Sequence, residues 1–86
     1  MREKFKYEVR QISALHDGMS WYWNDSYHIG EFQTSSENVA RALRRFLNNR
    51  GIFLKPHTTV AVNDWNVTEI VDRSDGEPLF AAILQE

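Results

Sequence analysis

TSSENVARALRRFLNNRG, running from Thr34 to Gly51, is the one strong helix signal in this chain. Thr34 and Glu37 stand at capping-box spacing, with Ser35 and Ser36 as competing caps. Val39, Ala42, Leu43, Phe46 and Leu47 fall at i, i+3, i+4, i+7 and i+8, the apolar stripe of a helix laid on a sheet. Leu43, Phe46 and Leu47 are therefore expected in the core. Arg41, Arg44, Arg45 and Asn48 cluster on the opposite side. Gly51 stands where a left-handed C′ residue is wanted, and Arg50 suits the negative end of the helix.

Strand-like segments flank the helix. Phe5, Tyr7 and Val9 alternate with Lys4, Lys6, Glu8 and Arg10, and the parity changes at Gln11, where a bulge is expected. Asp17-Gly18 is a two-residue hairpin signal that places Ala14 opposite Trp21 and Ile12 opposite Trp23. Asn24-Asp25-Ser26 is a second turn candidate: if it turns, Tyr27 to Gln33 is a third strand, the reading preferred here, and if it only bulges, residues 19–33 form one long bent strand. Beyond the helix, Thr58 to Val62 and Trp65 to Asp72 read as strands. Ser74-Asp75-Gly76 fits a three-residue hairpin loop that pairs Arg73 with Glu77, Val71 with Leu79 and Val67 with Ile83. Pro78 to Leu84 contains LFAAIL, six continuous apolar residues, and so predicts a central strand buried on both faces.

The expected fold is α+β: an antiparallel sheet of five or six strands with a single helix packed on one face, in the order ββ(β)-α-βββ. Residues 1–86 read as a single globular domain. A helix of about 15 residues is roughly 22 Å long and about 10 Å wide. A sheet of that size is roughly 20–25 Å across, so one helix leaves much of it bare. An open aromatic patch is expected on the far face, with Tyr22, Phe32 and Phe80 as its candidate partner-binding residues.

Composition narrows the function classes. Aromatic residues make up 13% of the chain, enough to build a core without staples. There is no Cys, which excludes disulfides and thiolate metal sites and suits a cytoplasmic protein. No apolar run approaches the ~20 residues of a membrane span, and the first ten residues do not read as a secretory signal. In size and aromatic content the chain resembles the small accessory proteins of bacteria and their mobile elements, a likeness of size class alone. Asn24 and Asn66 sit in glycosylation sequons, read here as turn and strand chemistry.

Candidate chemistry is sparse. Trp21-Tyr22-Trp23 reads first as core packing under the helix and second as an aromatic platform for a partner. Arg41, Arg44 and Arg45 read first as a solvated helix face and second as an anion-binding stripe, because guanidinium forks match phosphate and carboxylate. His16, His28 and His57 lie in different segments without metal-ligand spacing and read as surface or turn residues. No phosphate loop, nucleophile elbow or HExxH appears. Asp64, Glu69, Asp72, Asp75 and Glu77 make the last hairpin acidic, and turn chemistry explains them better than mimicry of nucleic-acid phosphates.

The expected function is that of a small binding or regulatory module without catalytic chemistry, cofactor or metal, acting through a protein partner or as a homodimer. Nucleic-acid association through the arginine face ranks second, and a membrane is not expected. Ten Lys and Arg oppose twelve Asp and Glu, and only the helix is locally basic. Neutralising several phosphates needs a wider footprint. Duplex DNA should therefore bind weakly and without sequence preference. A sub-micromolar affinity at physiological salt in a fluorescence-anisotropy titration would promote the nucleic-acid reading instead.

Overall fold

The computed structural model describes residues 3–12, 26–62, 66–74 and 76–85. Strands β1 (Phe5–Ile12) and β2 (Ser26–Thr34) precede a 3-10 turn (Ser36–Asn38) and helix α1 (Val39–Asn49). Strands β3 (Thr58–Val62), β4 (Thr68–Asp72) and β5 (Pro78–Leu84) follow. They form one five-stranded antiparallel sheet in the order β2-β1-β5-β4-β3, with α1 on one face. The apolar run of β5 lies in the middle strand, as its composition requires: Phe80, Ala81, Ala82 and Ile83 are all buried.

The helix face of the sheet carries Tyr7, Val9, Val60, Ile70, Phe80 and Ala82. Against it α1 sets Val39, Leu43 and Leu47, the last two with no exposed surface. Phe46 is only half-buried. It lies at the flank of the stripe, where its ring meets β2. Tyr7 and Phe32 are cross-strand partners with ring centroids 5.7 Å apart, and Phe32 lies 6.1 Å from Phe46. The Arg50 guanidinium caps this column, 4.7 Å above the Phe46 ring. Gly30 makes the approach possible, since a Cβ there would stand 2.6 Å from both Phe46 Cζ and Arg50 Nη2.

The helix ends as its sequence requires. Gly51 is left-handed (φ 76°), its N–H donates to Asn48 O, and the Ile52 N–H donates to Leu47 O. That is a Schellman motif, with Ile52 tucked against the core. The start differs from expectation. Thr34 belongs to β2, so the Thr34–Glu37 capping box does not form. Ser35 leads into the 3-10 turn instead, and its buried hydroxyl accepts a hydrogen bond from the Asn38 side chain.

Three register expectations are also corrected. The irregularity near Gln11 lies in the partner strand: Val9 faces Gly30 and Arg10 faces His28, leaving Ile29 as the extra residue of β2. The parity change in β1 needs no bulge, because Ile12 packs on the face away from the helix. Ile12 faces Ser26 and not Trp23; Asp17-Gly18 and Asn24-Asp25 lie outside the described residues, and Ser26 already belongs to β2. At the last hairpin Gly76 is left-handed as expected (φ 73°), and Ile70 pairs with Phe80. Val71, however, pairs with Pro78, and the Asp72 N–H donates to Glu77 O. Pro78 has no N–H to close the ladder, and the bulge at Leu79 absorbs the slip.

The far face is not the open patch expected of it. Val67, Ala81 and Ile83 are buried there with Ile12 beside them, and so is Glu69. Ala81 stands between Arg10 and Glu69 in cross-strand register, so a small side chain lies beneath two long ones.

Leu43→Ala and Leu47→Ala should each destabilise the fold by about 2–5 kcal/mol, through lost burial and the cavity left behind. Phe46→Ala should cost less than either, because its ring keeps part of its surface in water. Urea denaturation of the three variants checks the order. A Phe46→Ala cost above both leucine values would show that the aromatic column, not the leucine pair, anchors the helix.

Candidate functional site: an apolar groove at the start of the helix

The C-terminal half of the helix is fastened by Leu47, Phe46 and the Schellman turn. At its other end, beside the 3-10 turn, Ser36 and Val39 and the ends of strands β1, β3, β4 and β5 enclose a groove of about 540 Å³. Tyr7, Val39 and Ala82 form its buried floor. Phe5, Val62 and Leu84 stand on its rim, 36%, 61% and 48% exposed. Ser36, Thr68 and Asn66 add polar atoms, Asn66 in the left-handed conformation that asparagine tolerates (φ 61°).

Two properties of this groove bear on function. Five large apolar side chains are exposed among the described residues, and three of them line it; Tyr27 and Phe53 stand elsewhere. None of its lining residues carries a charge at neutral pH. Tyr7 is the one titratable side chain in the lining, and burial pushes its phenol above the usual range. The lining suits apolar side chains and lacks a group poised for proton transfer near neutrality.

The expected aromatic site is distributed differently. Phe80 is 7% exposed and belongs to the core under α1, so a partner cannot reach it without opening the fold. Phe32 is half-buried on the same helix-covered face, held between Tyr7 and Phe46. Tyr22 lies outside the described residues. The groove residues Phe5, Val62 and Leu84 were not singled out in the sequence. Each lies at or beside a strand end, and only the sheet order brings those ends together.

Arg41, Arg44 and Arg45 are exposed and make no ion pair with any described residue. Arg41 and Arg45, one turn apart, flank a polar cleft of about 220 Å³ with Thr34 and Asn38, on the opposite side of α1 from the groove. Arg44 projects outside that cleft.

Both described histidines meet a carboxylate. His28 Nδ1 lies 2.7 Å from Glu8 Oε2, which also accepts from Arg10 Nη1 at 3.0 Å. Arg10 Nε in turn donates to the Ser26 hydroxyl at 2.6 Å. His57 Nε2 lies 3.3 Å from Asp72 Oδ2, while the Ser74 hydroxyl and N–H both donate to Asp72 Oδ1. Those hydrogen bonds from Ser74, with His57 a lesser contributor, hold the Asp72 carboxyl below its usual range. In this constellation the carboxylate stands between serine and histidine. The imidazole therefore does not reach the Ser74 proton, and the arrangement works as a hairpin clasp, not a nucleophilic triad. His16 lies outside the described residues. Among the described residues no three His, Asp or Glu gather as metal ligands, and no helix is long and apolar enough to cross a membrane.

No family model, curated protein or solved structure matches the chain. The chemistry of its own surfaces carries the functional reading.

The buried Tyr7 phenol gives a pH signature. Its folded-state pKa is raised, so the folded chain holds this proton more tightly than the unfolded chain. Stability is therefore retained below the unfolded tyrosine value of about 10 and declines as pH rises beyond it. Urea midpoints of the wild type should fall more between pH 8 and pH 10.5 (both about) than those of Tyr7→Phe, which keeps the ring but removes the proton. Parallel declines in the two proteins would show that the phenol is solvated.

Proposed function

We propose that this chain is a small cytoplasmic binding module that works by protein contact, with the groove at the start of α1 receiving apolar side chains of a partner chain. One observation carries the reading: three of the five large apolar side chains exposed among the described residues gather around one uncharged concavity. Isolated surface apolar residues are ordinary, whereas clustered ones mark contact sites. A cavity of this size accommodates one or two bulky side chains. No cofactor enters this reading, and neither does catalysis.

Arg41 and Arg45, which pair with no described acid and stand beside Thr34 and Asn38, favour a second reading, in which the outer face of the helix holds phosphate groups of a nucleic acid. The acidic balance of the whole chain places it behind the first.

Affinity capture from native lysate, with and without nuclease, separates the two. Capture through the groove should survive nuclease and should be lost in Leu84→Asp, a half-exposed position where folding should tolerate the change. The same variant should bind less of an environment-sensitive apolar dye, while its circular dichroism stays that of the wild type. Captured material that nuclease releases, and that Arg41→Glu/Arg45→Glu loses while Leu84→Asp keeps it, would support the second reading against the first.

A further inference from the structure

The two edges of the sheet are built differently. Strand β2 carries Glu31 and His28, and its ladder is interrupted by the Ile29 bulge and Gly30. Charge and bulges are the usual devices by which a protein keeps an edge from pairing. The other edge, β3, reads TTVAV: it has no charge, no proline and no bulge, and four of its five residues are β-branched.

The hydrogen-bond phase of β3 shows which of its backbone groups are free. Arg73 N–H donates to His57 O, so His57 and Arg73 form a hydrogen-bonded pair, and Thr59–Val71 and Ala61–Glu69 follow in the same phase. Thr59 and Ala61 therefore spend their backbone groups on β4. Those of Thr58, Val60 and Val62 point away from the sheet. Thr58 N–H is already given to Lys55 O. The outward N–H and C=O of Val60 and Val62, with the carbonyl of Thr58, meet no other described strand.

We propose that β3 pairs edge to edge with β3 of a second copy of this chain, antiparallel about a two-fold axis at Val60, to make a continuous ten-stranded sheet. In that register Val60 exchanges N–H and C=O with Val60 of the second copy, and Val62 N–H donates to the Thr58 carbonyl in each direction. The committed Thr58 N–H is the one donor left out. Two identical strands can meet this way because neither brings a charge to face its own copy. On the helix face Val62 stands against Thr58 of the second copy, and both side chains fit the pleat. A pair of five-residue strands is small against a standard interface of about 1,600 Å², so the dimer is weak and depends on concentration. This inference goes beyond the groove reading and does not depend on it.

Sedimentation equilibrium from about 1 μM to about 1 mM covers the range in which small interfaces dissociate. The wild type should rise from one chain mass toward two. Val62→Pro should stay at one chain mass throughout, because it removes an outward donor and breaks no bond to β4. Leu84→Asp, which alters the groove but not the edge, should associate like the wild type. Amide exchange gives a second readout without mutation. Val60 and Val62 should become protected as concentration rises, whereas Thr59 and Ala61 are protected at every concentration. A wild type that remains monomeric throughout would overturn the proposal. So would a Val62→Pro that associates as well as the wild type, a Leu84→Asp that fails to associate, or exchange at Val60 and Val62 that ignores concentration.

Discussion

Ala81 and Ala82 sit back to back at the centre of the middle strand, and both are buried. One faces the helix and the other faces away. Because each is small, larger neighbours close over them: Val9 and Ile70 with the α1 leucines on one side, and Arg10 and Glu69 on the other, with Ile83 and Val67 alongside. Both clusters of buried residues run through β5. A bulkier side chain at either alanine would push the neighbouring layer away from a densely packed strand, and the outer strands depend on β1 and β4 staying paired with it.

A single helix then has to close the core on one face, and it does so unevenly. Its C-terminal half is held three ways: by Leu47, by the Phe46 ring seated on Gly30, and by the Schellman turn that folds Ile52 beneath it. Its N-terminal end begins with a 3-10 turn instead of a capping box and reaches the sheet mainly through Val39. The groove lies at that less tightly held end. A concavity bounded by a helix and four paired strands is largely preformed, and binding then requires little ordering of the site itself.

Polar groups follow the same division. The outer face of α1 carries arginines that no described acid neutralises. On the far side of the sheet the shielded charges Glu8 and Arg10 are paired: Glu8 meets both Arg10 and His28, and Arg10 extends to Ser26. Those far-side groups are largely shielded, Glu8 and Arg10 being 13% exposed, so their pairing satisfies groups that the strands force toward the interior. The helix arginines face water and need no partner for stability. They are left available for one.

Local chemistry is what the sequence determined by itself. Helix α1 and its Gly51 stop, the Gly76 turn, and strands β3 and β5 to their end residues follow from propensity, periodicity and turn geometry, all of which act within a few residues. The central place of β5 was also legible, because six consecutive apolar residues leave no polar face to turn toward water. Tertiary structure alone decided what depends on distant partners. The Ile29 bulge appears only once β2 is laid against β1, and the Leu79 bulge only once Pro78 meets Val71. Phe32 and Phe80 look like interface aromatics in isolation, yet both fall on the face the helix covers, Phe32 beside Tyr7 and Phe80 beside Ile70. The groove joins Phe5, Val62 and Leu84 from three strands that are far apart in the chain, and the unprotected edge at β3 exists because the strand order leaves it outermost. No pattern within one segment records either feature, since each is a property of which strands become neighbours.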